Sequence, residues 1–476
     1  MSAAVERPAK ARRGPGRHAR AVLIAVIGLY LVSETALAPF LPQLFAELFD
    51  VHDPSATGFY LWVCRIVGLA ALPLWGLAAR RWPLHKLVLT GLCGAAVLDL
   101  SLGLAPSYTA FTVLSAASVA TNAALLLAYP AFISEHVRHA EENTHPDQAR
   151  IAGVCSIVVV FHLATVVATM TGAGVLALPE PRVGISAFAV LDVVLAVLIV
   201  RVLGRMPAEQ PTGEDAESAG ITSGTLSDST PAERPRRRRL WLLLLAQAAL
   251  IGVAFDAAST VVRPFFTELA RDMGSGAVGA AVLFFLPSVA ALVALVAVRR
   301  VHDRLGDRLL PIGLLLAAAG LACQYVASGL PALAAGRVLF GLGLGFGQVA
   351  VELVMFRATG TKGPAFTAVE TVRSIGLIAA PLVAAAAVSR ELALPLLIAA
   401  VLMVCASLLA TIRPDRRDHR ERPSAPPSGR TPQVTGTDVP ATAVQPTAVE
   451  PAAAEPTATT APVPAPRRVP AEETHA

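Results

Sequence analysis

An all-α polytopic membrane protein made of two six-helix bundles is the fold class this sequence predicts, on three observations. Of its 476 residues, 54% are hydrophobic and only 15% are charged, and the mean hydropathy is +0.61; soluble domains run about 45–50% apolar and about 25% charged. Apolar runs of the roughly 20 residues that a bilayer-crossing helix needs recur down the chain. The second half also repeats the first. Glu34 and Asp256 are 222 residues apart, as are Pro42 and Pro264, while Arg81 and Arg304, Arg150 and Arg373, and Gly153 and Gly376 are each 223 apart. Three separated places sharing one offset to within a single residue predict two homologous halves related by pseudo-two-fold symmetry.

The spans are read at 21–45, 57–79, 85–105, 108–134, 150–178, 183–203, 240–266, 276–298, 309–329, 331–356, 364–388 and 391–412. They group into an N-terminal bundle, 21–205, and a C-terminal bundle, 240–412. Residues 1–20 form a basic N-terminus, and 206–239 a polar linker. Residues 413–476 are a Pro/Ala/Thr-rich tail with too few apolar residues to bury a core, so disorder is expected there. Basic residues cluster before span 1 (Arg12, Arg13, Arg17, Arg20), between spans 2 and 3 (Arg80, Arg81, Lys86), before span 7 (the run 234–239) and between spans 8 and 9. The alternate loops carry acids, as in "AELFDVHDP" (46–54). Excess Lys and Arg marks the cytoplasmic side, so both termini are expected there, in a plasma-membrane protein that spans it as a monomer. The net charge of +5 is this topology signal; nothing interleaves aromatics with the basic runs as a nucleic-acid surface would. The five cysteines stand alone in apolar spans and read as small packing residues, without metal or disulfide spacing. No cofactor and no metal are expected.

Taken in order, the spans place charge where it is costly. An ionisable side chain at the bilayer centre costs about 2.5–3.5 kcal/mol on insertion scales, so each is a functional candidate. Span 1 carries Tyr30 and Glu34 before Pro39 and Pro42. Glu34 lies about 21 Å beyond Arg20, and Asp256 of span 7 about 25 Å beyond Arg239, at 1.5 Å per residue. Arg65 of span 2 matches Glu34 in depth and is a candidate ion-pair partner. His162 of span 5 has an intrinsic pKa suited to proton handling. Asn122 and Tyr129 of span 4, Gln247 of span 7 and Gln348 of span 10 are the sparse polar groups available to line a cavity. Asp99 and Asp192, in spans 3 and 6, read as satisfied packing groups. Towards the basic side, Asp303 and Arg304 are expected to bridge to Glu352, or to Glu370 and Arg373; Arg81, Glu135, Asp147 and Arg150 would do the same in the first half. Small-residue stretches such as "GLGLGFG" (341–347) let helices approach closely.

Two motifs carry a family resemblance. "DRLGDR" (303–308), with Asp303, Arg304 and Gly306, resembles the loop motif of the major facilitator superfamily, and "RVLFGLG" (337–343), beginning at Arg337, resembles its span-10 motif. "PFLP" (39–42) is similar to the end of span 1 in its drug:proton antiporters. The first-half loop departs from the pattern, with Arg80 and Pro83 where the family has Asp and Gly. The resemblance covers about residues 20–412. It implies spans 1, 4, 7 and 10 around a central cavity and a secondary transporter, not an enzyme.

The sparse polar set then favours proton-coupled export of a small organic compound, amphiphilic or cationic, because sugar sites need many amide and aromatic contacts. Glu34 and Asp256 would exchange the proton. Alternatives are a proton symporter importing a sugar, organic acid or other metabolite, and, in another class, a polytopic membrane enzyme or sensor. The enzyme lacks acid clusters or a nucleophile motif here, and the sensor lacks a folded cytoplasmic domain.

Overall fold

Helix occupies each of the twelve segments. The computed structural model describes residues 28–79, 81–82, 84–126, 146–203, 233–359 and 364–412, all within one compact unit, Met1–Arg416. Arg80, Pro83, Tyr129 and Glu135 lie outside the described residues, as do the predicted tail and most of the linker. Span 1 comprises a helix at 28–35, a 3-10 turn at Ala38–Phe40 and a helix at Leu41–Phe49. Spans 2 to 5 are Pro54–Ala79, Leu84–Leu102, Tyr108–Leu126 and Pro146–Leu176. Span 6 is split into Pro181–Ser186 and Phe188–Leu203, and span 7 into Glu233–Val262 and Phe266–Asp272. Spans 8 to 12 are Ala277–Leu305, Leu309–Tyr325, Leu330–Thr359, Pro364–Val388 and Leu394–Thr411.

The breaks in spans 1 and 7 follow their prolines, which lack the N–H that continues a helical ladder. After each break the chain re-enters helix through a buried phenylalanine of the same conformation: Phe40 at φ −114°, ψ 4° and Phe265 at φ −116°, ψ 0°. These residues are 225 apart, three more than Pro42 and Pro264, so the structural repeat is shifted here by nearly one helical turn from the sequence match. Span 7 also begins earlier than the predicted linker end at 239. Arginine is a good helix former and Pro235 falls in the first turn, where its missing N–H costs nothing, so the basic run winds into the helix.

The packing repeats between the halves. Spans 2 and 4, 3 and 4, and 3 and 6 are neighbours; so are their counterparts 8 and 10, 9 and 10, and 9 and 12. Spans 2 and 11, and 5 and 8, join the halves. Around span 10, glycines serve two neighbours at once. A Cβ at Gly341 would lie 2.4 Å from the Pro287 oxygen of span 8, and one at Gly343 would lie 2.2 Å from the Ala317 nitrogen of span 9. Gly306 ends span 8 at φ +52°, a conformation that costs a side chain, which accounts for the glycine of the loop motif.

Large apolar side chains face outward along the spans; Val296 is 87% and Leu74 66% exposed. Such a surface suits hydrocarbon, not water. The cysteines correct one expectation. Cys64 is buried and Cys155 half-buried, but Cys93, Cys323 and Cys405 are exposed on this apolar surface and do not pack the interior.

The two ends differ in how the halves meet. At the end bearing the 1–2 loop, the buried Thr267 hydroxyl donates to the Pro39 carbonyl, tying span 7 to span 1. Nearby, Gly58 of span 2 is so close to Pro381 and Ala385 of span 11 that a Cβ would clash with both.

Candidate functional site

A small cavity opens between spans 5, 7, 8 and 10. Its architecture begins with Pro287. Proline cannot donate to the carbonyl four residues back, which leaves the Leu283 oxygen without its helical donor inside span 8. Arg337 of span 10 fills that vacancy: Nε donates to Leu283 O at 2.9 Å and Nη2 to Phe284 O at 2.5 Å. The guanidinium lies 3.8 Å from the centre of the Phe266 ring, within cation–π range, and is 4% exposed. The predicted cavity residue Arg337 therefore lines the cavity while bracing its wall.

Two further cations stand at the seam. Arg263, just before Pro264, lines the cavity with its guanidinium 5.6 Å from the Phe161 ring of span 5. Arg65 of span 2 is exposed and near enough to Arg263 for their charges to repel, as Arg263 is to Arg337. Among the described residues, neither Arg65 nor Arg263 forms an ion pair. Glu34 is exposed beside them, within electrostatic reach of Arg65 and Asp99. The expected Glu34–Arg65 ion pair is thus absent among the described residues: the two charges sense each other without contact.

Asp256 has a different fate from its sequence partner. Its carboxylate accepts from Arg373 Nε at 2.6 Å, between spans 7 and 11. Arg373 also reaches Glu370 at 2.8 Å, Glu352 at 3.3 Å and the Met355 sulfur at 3.1 Å. Gly252 makes the room, since a Cβ there would lie 3.0 Å from the Arg373 Cδ. The structure therefore merges the predicted proton site Asp256 with three predicted gate residues, all within the second half. Asp303 and Arg304 do not join them. Both are exposed and form no ion pair among the described residues; the loop's contact is instead Asp307 with Arg357, 3.1 Å apart and exposed. Arg81 is likewise exposed and unpaired among the described residues. Asp147 and Arg150 fall in the first turns of span 5.

The remaining expectations divide. His162 is 1% exposed with Gln348 beside it, and among the described residues neither ring nitrogen has a hydrogen-bond partner. Asn122 is buried, and its Oδ1 has no partner among the described residues. Tyr30 packs against apolar residues of spans 3 and 6. Gln247 does not line the cavity: its amide donates to Leu409 O at 2.6 Å and Ile412 O at 2.7 Å, capping span 12. Asp99 accepts from Ser118 Oγ at 2.6 Å, whereas Asp192, 1% exposed, leaves Oδ2 without a partner among the described residues and so is not the satisfied packing group expected.

Sequence reading missed Arg263, together with Thr165, Ser259 and Ser288 of the cavity wall. An arginine directly before a span-breaking proline was the available signal, but at a helix end it reads as an interfacial residue.

A search among curated proteins finds no match to the chain. The Major Facilitator Superfamily profile matches residues 23–310 and 248–461, two overlapping matches that take in both halves. With the repeated helix pairing and the cavity at the seam, these matches establish what the chain is: it belongs to the major facilitator superfamily, a family of multi-pass membrane transporters of small molecules and not of enzymes.

Proposed function

We propose that the protein exports a small organic compound across the plasma membrane in exchange for protons, by alternating access, with the basic face and both termini in the cytoplasm. The observation that carries this reading is Glu34, an acid exposed at the seam of two membrane-embedded halves and in no ion pair among the described residues. Placing it there is costly, and its surroundings change whenever the halves rock, so its proton can load on one side and leave on the other. The Arg373 cluster supports the same chemistry. Three carboxylates share one guanidinium, leaving two formal negative charges in excess, in helices that line the seam. With the Pro39–Thr267 tie at the 1–2 end, and no inter-half ion pair among the described residues at the opposite end, the arrangement fits a conformation open to the cytoplasm.

Arg65 and Arg263, in no ion pair among the described residues, favour a second reading, proton-coupled uptake of an organic acid. In proteoliposomes holding a pH-sensitive dye, a panel of small organic compounds tests both. Export by exchange gives proton movement opposite to the compound; symport gives both in the same direction. Glu34→Gln should retain exchange of labelled for unlabelled compound but lose accumulation driven by a pH gradient. If the variant accumulates compound as wild type does, Glu34 is not the coupling group.

A further inference from the structure

Span 7 carries its helix past the cover of its neighbours. The helix Glu233–Val262 is 30 residues long, about 45 Å at 1.5 Å per residue. Gln247 binds the last carbonyls of span 12, at Leu409 and Ile412, and on the far side of Gln247 span 7 continues as helix. Every residue from 238 to 244 is exposed. At 3.6 residues per turn these make nearly two turns, so the protein covers no face of the helix there. Leu240, Trp241, Leu242, Leu243 and Leu244 are 38–53% exposed. In water they would form a bare apolar rod; hydrocarbon covers it. The charges begin where the rod ends. Arg236, Arg237, Arg238 and Arg239 occupy consecutive helical positions, which go almost once round the axis and make a collar. Arg238 and Arg239 are exposed and in no ion pair among the described residues, and the helix has no acid from 234 to 255. Trp241, beside the collar, is a residue type that settles at headgroup level. Hydrocarbon around the rod therefore puts the collar among lipid headgroups.

We propose that this arginine collar and Trp241 form a binding site for acidic phospholipid, in which the lipid phosphate takes the guanidinium donors and the acyl chains cover the exposed leucines. A guanidinium presents paired donors that match a phosphate, and each arginine near an anionic membrane surface strengthens binding about fivefold. A zwitterionic lipid brings its own cation to the collar and gains less. Basic residues anywhere in the loop would serve as a topology signal; the continuous helix adds a fixed depth, with the charges directly on the apolar rod. The same helix carries Asp256, so acidic lipid grips one end of a helix that lines the seam. Lipid binding here does not depend on the substrate, the direction of transport or proton coupling.

The test reads the lipid beside Trp241 directly. In the full chain carrying Trp62→Phe, Trp75→Phe and Trp82→Phe, Trp241 is the tryptophan that remains, and brominated acyl chains quench its fluorescence on contact. In nanodiscs, brominated phosphatidylglycerol should occupy the site about tenfold more strongly than brominated phosphatidylcholine at low salt, falling to about twofold near 1 M salt as the charges are screened. Arg236→Gln, Arg237→Gln, Arg238→Gln and Arg239→Gln together should bring that ratio to about one. Lysine at the same four positions should keep most of it, because lysine still attracts phosphate as a point charge. Should the single-tryptophan protein not fold, native mass spectrometry of the otherwise unaltered chain makes the same comparison: phosphatidylglycerol retained by wild type and lost with the four glutamines. A wild-type ratio of about one, or a ratio that the glutamines leave unchanged, overturns the site. So does displacement by inorganic phosphate beyond that by chloride at equal ionic strength, which would make it a site for free phosphate and not for lipid.

Discussion

Replacing Arg337 with methionine tests whether this arginine completes the helix that Pro287 interrupts. The side chain supplies two charged hydrogen bonds, to Leu283 O and Phe284 O, and a cation–π contact with Phe266. Phe284 O keeps a helical donor in the Ser288 N–H, but Leu283 O has none, because residue 287 is proline. Leaving a buried carbonyl unpaired costs about 1–3 kcal/mol, and the ring contact adds about 0.5–2 kcal/mol. Arg337→Met should therefore destabilise the protein by about 2–5 kcal/mol. Pro287→Ala restores an N–H aimed at Leu283 O, and a carbonyl has lone pairs for two donors. In the Pro287→Ala background the same Arg337→Met change should cost about 1–3 kcal/mol less. Unfolding titrations of the four proteins in mixed micelles, followed by circular dichroism, give that coupling energy directly. Additive changes, agreeing within about 0.5 kcal/mol, would falsify the capping role and leave Arg337 as a cavity residue only.

Three further outcomes follow from the same geometry. Asp256→Asn should cost about 1.5–3 kcal/mol, because it removes a charged bond at 2.6 Å between side chains 12% and 15% exposed, whereas Asp303→Asn, exposed and without an ion pair among the described residues, should stay within about 0.5 kcal/mol in unfolding titrations; the reverse order would restore the loop as a latch. Gly341→Ala should lower the melting temperature, since its Cβ would sit 2.4 Å from the Pro287 oxygen, while Gly76→Ala, with nothing within 4 Å, should hold or slightly raise it; equal effects would mean spans 8 and 10 are not in close contact. Ser118→Ala should cost about 1–3 kcal/mol, because it takes from the buried Asp99 carboxyl a hydrogen bond at 2.6 Å; a change within about 0.5 kcal/mol in the same titrations would refute that contact.

Much of the architecture was legible in the sequence because its causes are local. Apolar length sets where a helix can cross a bilayer, Pro39, Pro42 and Pro264 interrupt spans 1 and 7 by lacking a donor, and Gly306 and the span-10 glycines announce a left-handed turn and close helix contacts. The repeat offset likewise told that the halves are built alike. What the tertiary structure decided was which charges meet, since that depends on how each helix is rotated about its axis and which neighbour it packs against. Asp256 and Arg373 are 117 residues apart, and only the packing of span 7 on span 11 brings them to 2.6 Å. Glu34 shares its sequence signature with Asp256 yet forms no ion pair among the described residues, and the structural repeat is offset by nearly one turn at the span breaks. Gln247 turned to cap span 12, and Arg263, at a helix end in the sequence, entered the seam because the chain re-forms a helix beyond Pro264 and folds span 7 against span 1. Hydropathy and turn chemistry act within a few residues; the pairing of charges across a membrane bundle is a property of its packed faces.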